Sequence, residues 1–269
     1  MDMKPVTTEL LSRIRSDAPL IHNITNFVVM NSSANILLAV GASPVMAHCQ
    51  AEVEEMTSLA GALVLNIGTL QEDWVAAMII AARRANARGI PVILDPVGAG
   101  ATTLRTAAAQ EIMNKARISV LRGNASEILS LAAAGTVTKG VDSSVGLSPQ
   151  VIAVARQLAE NKGCIVAVSG PEDCVTDGGR ICRIANGHPL MTRVTGTGCG
   201  LSAVAGAFCA VCPTEPLQAV SAAFGFYGMC GELAAQIGPK PGSFATAFLD
   251  TLYSAGKAEI DDLLNITCT

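Results

Sequence analysis

The sequence predicts an α/β fold in which a mostly parallel sheet carries helices on both faces. Three observations predict it. Short apolar runs bounded by Gly and Pro alternate with longer stretches of helical period. The runs are hydrophobic throughout, as strands covered on both faces must be. Polar and glycine-rich residues fall just after them, at Gly68, Asp95, Arg122-Gly123-Asn124 and Ser169-Gly170, and the strand ends of such a sheet form a ligand crevice.

The elements follow in order. Gly61–Gly68 (GALVLNIG) reads as a buried strand and Gln71–Arg88 as the helix after it. Ile90–Leu94 is a strand, with Pro91 tolerated at its start. Thr102–Ala116 is helical, Ile118–Leu121 extended and Ala125–Ala134 helical again. Pro149–Asn161 is a helix with Ser148 as its cap and proline in its first position, where the missing N–H costs nothing. Cys164–Ser169 is a strand, and Val175–Ala185 a hairpin turning at Asp177-Gly178-Gly179. From Gly198 onward only helices are expected, at about Gly198–Val211, Glu215–Ile237 and Gly242–Ala255, with a short one near the end. No linker, repeat or low-complexity segment interrupts the pattern, so one domain over 1–269 is expected.

Composition narrows the function classes. Half of the 269 residues are hydrophobic, 15% are charged, and mean hydropathy is +0.44. That exceeds what one core requires and points to subunit contacts or a buried helical layer. A net charge of -4 offers no footprint for nucleic acid, and no basic run suits a membrane surface. The uncharged stretch between Arg193 and Glu215 opens on glycines and stops at Pro213, too short to span a bilayer. With no export signal at the N-terminus, the nine unpatterned cysteines read as reduced thiols in a cytoplasmic protein.

The sharpest local feature is Val194-Thr195-Gly196-Thr197-Gly198-Cys199-Gly200, which opens an apolar helix. A helix N-terminus leaves N–H groups unpaired and carries positive partial charge, so glycines there suit a phosphate cradle. A glycine-rich turn kept for packing explains the same residues. The pattern of a P-loop is absent, and Leu201 stands where a dinucleotide fingerprint needs its third glycine. Asp95, ending a strand before Pro96, reads either as a magnesium ligand or as a residue shaping the proline turn. Asn124 and Glu127 have capping-box spacing and also the spacing of a metal-water pair. Arg122 is either a fixed cation for polyphosphate or a surface charge. Taken together, two acids, one arginine and a glycine-rich helix start form a kit for phosphoryl transfer, which needs positioning and charge neutralisation more than covalent chemistry.

These segments resemble the hydroxyethylthiazole kinase family of the ribokinase-like kinases along nearly the whole chain. The most specific matches are His22-Asn23-Ile24-Thr25-Asn26-Phe27-Val28 and Gly41-Ala42-Ser43-Pro44-Val45-Met46. Leu65-Asn66-Ile67-Gly68-Thr69, Asp95 to Thr102, Arg122 to Glu127 and the Gly196 to Cys199 loop match more widely shared motifs. The resemblance implies magnesium- and ATP-dependent phosphorylation of the alcohol of 4-methyl-5-(2-hydroxyethyl)thiazole in thiamine salvage, by a homotrimer with interfacial active sites. It places Asn26, Met46, Gly68 and Gly196 around the thiazole. Arg122, Ser169 and Gly198 would contact ATP, and Asp95 and Glu127 would hold magnesium and its waters. Ser169 stands where the family commonly has Thr.

Cys199 occupies the position where most ribokinase-like kinases carry an aspartate base. Its place at a helix N-terminus predicts a lowered thiol pKa and a role as proton acceptor; orienting the alcohol is the alternative. Three rivals stand beside this reading: a hydroxymethylpyrimidine kinase on the same fold, a thiol enzyme using Cys199 as nucleophile, and a non-catalytic thiazole sensor.

Overall fold

The computed structural model describes residues 1–133 and 147–269. The chain opens with α1 (Met3–Asp17), β1 (Leu20–Ile24), α2 (Met30–Val40), β2 (Ser43–Val45) and α3 (Val53–Leu59). It continues through β3 (Ala62–Asn66), α4 (Glu72–Arg88), β4 (Val92–Asp95), α5 (Thr103–Lys115), β5 (Val120–Asn124) and α6 (Ala125–Ala133). After the undescribed stretch come α7 (Pro149–Lys162), β6 (Ile165–Ser169), β7 (Asp173–Thr176) and β8 (Ile181–Ile184). A 3-10 turn at Pro189–Arg193 leads to α8 (Thr197–Val211), α9 (Pro216–Ile237), α10 (Pro241–Ser254), α11 (Lys257–Leu263) and β9 (Ile266–Cys268). Each element expected from Gly61 to Ile237 is present within a few residues of its expected bounds, save that Ala134 lies outside the described residues.

The nine strands of the described residues form one sheet in the order β2-β1-β3-β4-β5-β6-β7-β8-β9. The pairs from β2 to β6 are parallel, whereas β6 to β9 run antiparallel. Strand side chains alternate between two cores, as the period of two requires. Val64, Ile93 and Val120 face the layer built on α1, α2, α8, α9 and α10. Leu63, Leu65, Leu94 and Leu121 face the layer built on α4 to α7. This places α8 and α9 between the sheet and other helices, which accounts for their almost wholly apolar sequence. Among the described residues no helix is long and apolar enough to cross a membrane.

Local chemistry sets the helix ends. Thr102 caps α5 by accepting the Arg105 N–H at 3.2 Å, and Ser148 caps α7 by accepting that of Val151 at 3.3 Å.

Two expectations need correction. The C-terminal segment is not only helical, because Ile266–Cys268 adds a strand at the sheet edge. Three residues are too short a run to carry a readable period. Nor are all nine cysteines free: Cys182 and Cys268 are register partners across β8 and β9 and form a disulfide. Their separation of 86 residues leaves no mark in the spacing, and only the pairing of a terminal strand brings them together.

Candidate active site

The carboxyl ends of β1 to β6 meet the N-terminus of α8, and most of the expected site residues converge there. Asn66 and Asp95 close adjacent strands in register, and the pairing of β5 with β6 brings Arg122 to Ser169. The Arg122 guanidinium donates to Ser169 Oγ at 2.8 Å and stands 3.6 Å from Asp95 Oδ2. Asp95 Oδ2 also accepts from Asn66 Nδ2 at 2.9 Å and from Ser202 Oγ at 2.7 Å. Asp95 Oδ1, like Arg122 Nε, is buried and has no hydrogen-bond partner among the described residues. A buried carboxylate oxygen and a buried guanidinium N–H left without partners are costly. The chemistry of the two atoms suits a cation or water at Asp95 Oδ1 and an anion at Arg122 Nε.

Burial raises the Asp95 pKa to about 6, the Arg122 charge and the Ser202 hydroxyl opposing it. At neutral pH the carboxylate is mostly ionised.

Gly196 precedes α8 with φ of 87°, a left-handed conformation that favours glycine. The first intrahelical bond runs from Gly200 N–H to Gly196 O at 2.7 Å, so the amides of Thr197, Gly198 and Cys199 lack intrahelical partners. A Cβ on Gly198 would stand 3.3 Å from the Arg122 guanidinium, so this amide cluster and the arginine face one space. That space opens into a cavity of about 520 Å³ lined by Arg122, Ser169, Asp173, Met191, Gly198 and Phe224 among others. Tyr227 braces its wall by donating to Thr197 O at 2.8 Å. The cavity has the cationic end and the apolar body that a nucleoside phosphate requires.

On the other side of Cys199 lies Asn26. Its Nδ2 donates to Asn66 Oδ1 at 2.8 Å and stands 3.6 Å from Cys199 Sγ. Gly68 packs directly against it, since a Cβ there would come within 2.5 Å of Asn26 Nδ2. Gly196 borders the same side through Ser32 and Val29. Met46 follows β2 at the same sheet edge and is half-buried. The segment after it is held by His22, whose ring Nε2 lies 2.7 Å from Ala47 O and whose Nδ1 lies 3.0 Å from Thr57 Oγ1. A carbonyl only accepts, so Nε2–H donates to Ala47 O, and burial lowers the His22 pKa. His48 and Phe27 pack on Trp74 at ring-centroid distances of 4.5 and 4.7 Å.

One expectation changes here. The Cys199 pKa is not lowered but pushed up to about 11, because burial and the Asp95 charge outweigh the amides of Asn66 and Asn26 and the Arg122 charge. The thiol is protonated at neutral pH. Glu127 fulfils the capping-box reading: Asn124 Oδ1 accepts the Glu127 N–H at 3.0 Å, and Glu127 Oε2 accepts the Asn124 N–H at 2.8 Å. Its Oε1 accepts the Gly98 N–H at 2.8 Å, so both oxygens already serve backbone amides. For a divalent cation, Asp95 Oδ1 fits as a ligand, while Glu127 has only its second lone pairs to offer to a metal-bound water.

Three residues in the site escape sequence reasoning. Ser202 sits inside an apolar helix with no local signal. Arg105, in a helix of mixed polarity, turns back to donate to Ile67, Val97 and Gly68 carbonyls at 2.8–3.0 Å and so straps two strand-end loops together. Asn66 was visible as a polar residue ending an apolar run, but its partners were not.

Known proteins supply the remaining comparison. The sequence profile of the hydroxyethylthiazole kinase family matches residues 11–257. The chain belongs to the hydroxyethylthiazole kinase family. It is 54% identical over 253 residues to a hydroxyethylthiazole kinase of Desulfotalea psychrophila, covering 94% of this chain and 92% of that one. The solved structure of a hydroxyethylthiazole kinase from Pyrococcus horikoshii OT3 superimposes with a TM-score of 0.90 at 43% identity, over 98% of this chain and 99% of that one. A ribokinase-like superfamily protein from Enterococcus faecalis superimposes with a TM-score of 0.66 over 93% of this chain and 95% of that one. At 11% identity it speaks to the fold alone. The chain is thus a kinase of the hydroxyethylthiazole kinase family with a ribokinase-like fold.

Proposed function

We propose that this kinase transfers the terminal phosphoryl group of ATP, with magnesium, to the primary alcohol of 4-methyl-5-(2-hydroxyethyl)thiazole in thiamine salvage. The observation that carries the reading is the pair of open buried atoms, Asp95 Oδ1 and Arg122 Nε, beside the unpaired amides of α8. In a loose phosphoryl-transfer transition state charge spreads over the equatorial oxygens, and catalysis consists of holding them. Arg122 and the Gly198 amide supply positive charge and hydrogen bonds to those oxygens, and Ser169 keeps the guanidinium in place. Asp95 would hold magnesium, with Glu127 reaching its waters; the cation neutralises phosphate charge when bound. Asn26, Met46, Gly68 and Gly196 would border the thiazole.

Cys199 lies between the two halves. As a neutral thiol with its pKa near 11, it suits orienting the alcohol more than accepting its proton. Little demand falls on a base when the transition state is loose.

The reading extends to one domain over 1–269, a cytoplasmic location, and a homotrimer with sites at its interfaces. Exposed Phe27 and Val28 support the last point, since they leave apolar surface beside Asn26 that a neighbouring subunit would cover. The test is magnesium-dependent ADP release with hydroxyethylthiazole and hydroxymethylpyrimidine offered separately. Release with the thiazole alone is expected; release only with the pyrimidine would overturn the substrate, and silence with both would return the thiol-enzyme and sensor readings.

A further inference from the structure

Asn66 is buried to 1% exposure at the end of β3 and joins both halves of the site without lining the nucleotide cavity. Its amide orientation is not arbitrary. Oδ1 must accept, because the Gly68 backbone N–H points at it from 2.9 Å. Nδ2 must donate, because Asp95 Oδ2 lies 2.9 Å away. Asn26 is oriented the same way: its Oδ1 accepts the Val28 N–H at 3.1 Å, leaving Nδ2 to donate to Asn66 Oδ1 at 2.8 Å. The bonds therefore run in one direction, from the Val28 amide through Asn26 and Asn66 to Asp95. Each link fixes the rotamer of the next. A neutral side chain with one acceptor and one donor at this reach completes the chain: ionised aspartate lacks the donor and alanine lacks both.

We infer that Asn66 is a positioning residue that locks thiazole-side Asn26 and phosphate-side Asp95 into one hydrogen-bond chain, so that acceptor orientation and phosphate geometry are set together. The inference rests on the proposed thiazole kinase reading and deepens it. With Asn66 in place, Asp95 Oδ2 is occupied by Asn66 and Ser202 and Oδ1 is left open. Without it, Asp95 Oδ2 keeps only Ser202 as a hydrogen-bond donor, and Asn26 loses the acceptor that holds it beside Cys199.

Two substitutions at Asn66 separate the two ends. Asn66→Asp keeps an acceptor for Asn26 and Gly68 but replaces the neutral amide donor by a second carboxyl 2.9 Å from Asp95, and the two either repel or share one proton, so that Asp95 no longer stands as a carboxylate held by a neutral donor. We expect its thiazole Kd, measured by calorimetry without ATP or magnesium, to stay within about 3-fold of the native protein while kcat falls about 100-fold. Asn66→Ala should weaken thiazole binding about 10-fold and lower kcat about 100-fold. A purely structural role would lower thermal stability in both and move Kd and kcat alike. If Asn66→Asp keeps kcat within about 3-fold, or weakens thiazole binding as much as Asn66→Ala does, the inference is overturned.

Asn26→Ala tests the chain from its other end should the Asn66 variants fail to fold. At saturating thiazole it should still lower kcat about 10-fold, because Asn66 is then held only by the Gly68 N–H and sets Asp95 less firmly. A change in KM alone would refute the coupling. The native protein separates this inference from the reading beneath it: absence of thiazole binding and turnover there defeats the proposed function, whereas normal native behaviour with unaffected variants defeats only the role of Asn66.

Discussion

Replacing Gly68 by alanine perturbs the thiazole side with one methyl group. The added Cβ would lie 2.5 Å from Asn26 Nδ2, 2.8 Å from its Cγ and 3.0 Å from its Cβ. Ordinary contact needs about 3.5–4 Å, so the Asn26 amide must withdraw by about 1 Å. That displacement breaks its 2.8 Å bond to Asn66 Oδ1 and removes it from Cys199 Sγ. Losing a buried bond costs about 1 kcal/mol, and leaving its partners unsatisfied adds about 1–3 kcal/mol. A total near 3 kcal/mol corresponds to about 100-fold in kcat/KM for the thiazole. The assay is steady-state ADP release with thiazole varied at saturating ATP, alongside thermal unfolding. Gly242→Ala is the control, since nothing lies within 4 Å of its Cβ position. Retention of kcat/KM within about 3-fold by Gly68→Ala would refute the argument that Asn26 must stand where it does.

Other predictions follow from the same geometry. Cys199→Asp should keep substantial activity because an oxygen still accepts from the alcohol, whereas Cys199→Ala should lose about 10–100-fold; equality of both with the native enzyme would remove Cys199 from the reaction. With its pKa near 11, Cys199 should be alkylated by iodoacetamide at pH 8 much more slowly than exposed Cys49, which peptide mass spectrometry resolves. Glu127→Gln should destabilise the protein by about 1–3 kcal/mol even without magnesium, because the new NH₂ cannot accept from either the Gly98 or the Asn124 amide it meets. Unchanged thermal unfolding in metal-free buffer would show that the capping bonds contribute little.

The Asp173 pKa is raised by burial to about 7, so the folded state binds this proton more tightly than the unfolded chain does. Its contribution to stability is therefore greatest at acid pH and is lost as pH rises from about 4 toward 7. Asp173→Asn keeps an acceptor for the Gly170 N–H and has no charge to desolvate. It should gain up to about 4 kcal/mol over the native protein at pH 8 and almost nothing at pH 4, read by chemical unfolding at both pH values. An equal gain at the two would refute the titration.

The layered α/β architecture is legible in the order of the residues, because hydrophobic runs and helical periods are local properties that burial on two faces imposes on every strand and helix. The same order also placed Asp95, Arg122, Ser169 and the glycines before α8 at strand ends and a helix start, where a phosphate site belongs. Tertiary structure alone decided what those groups touch. Asn66 was a polar residue closing an apolar run until strand register set it between Asn26 and Asp95. Ser202 reaches Asp95 across 107 positions, and Cys182 meets Cys268 across 86. The thiol of Cys199 reversed its expected shift for the same reason. A helix terminus is visible in sequence, but the burial and the neighbouring carboxylate that outweigh it are properties of the packed interior.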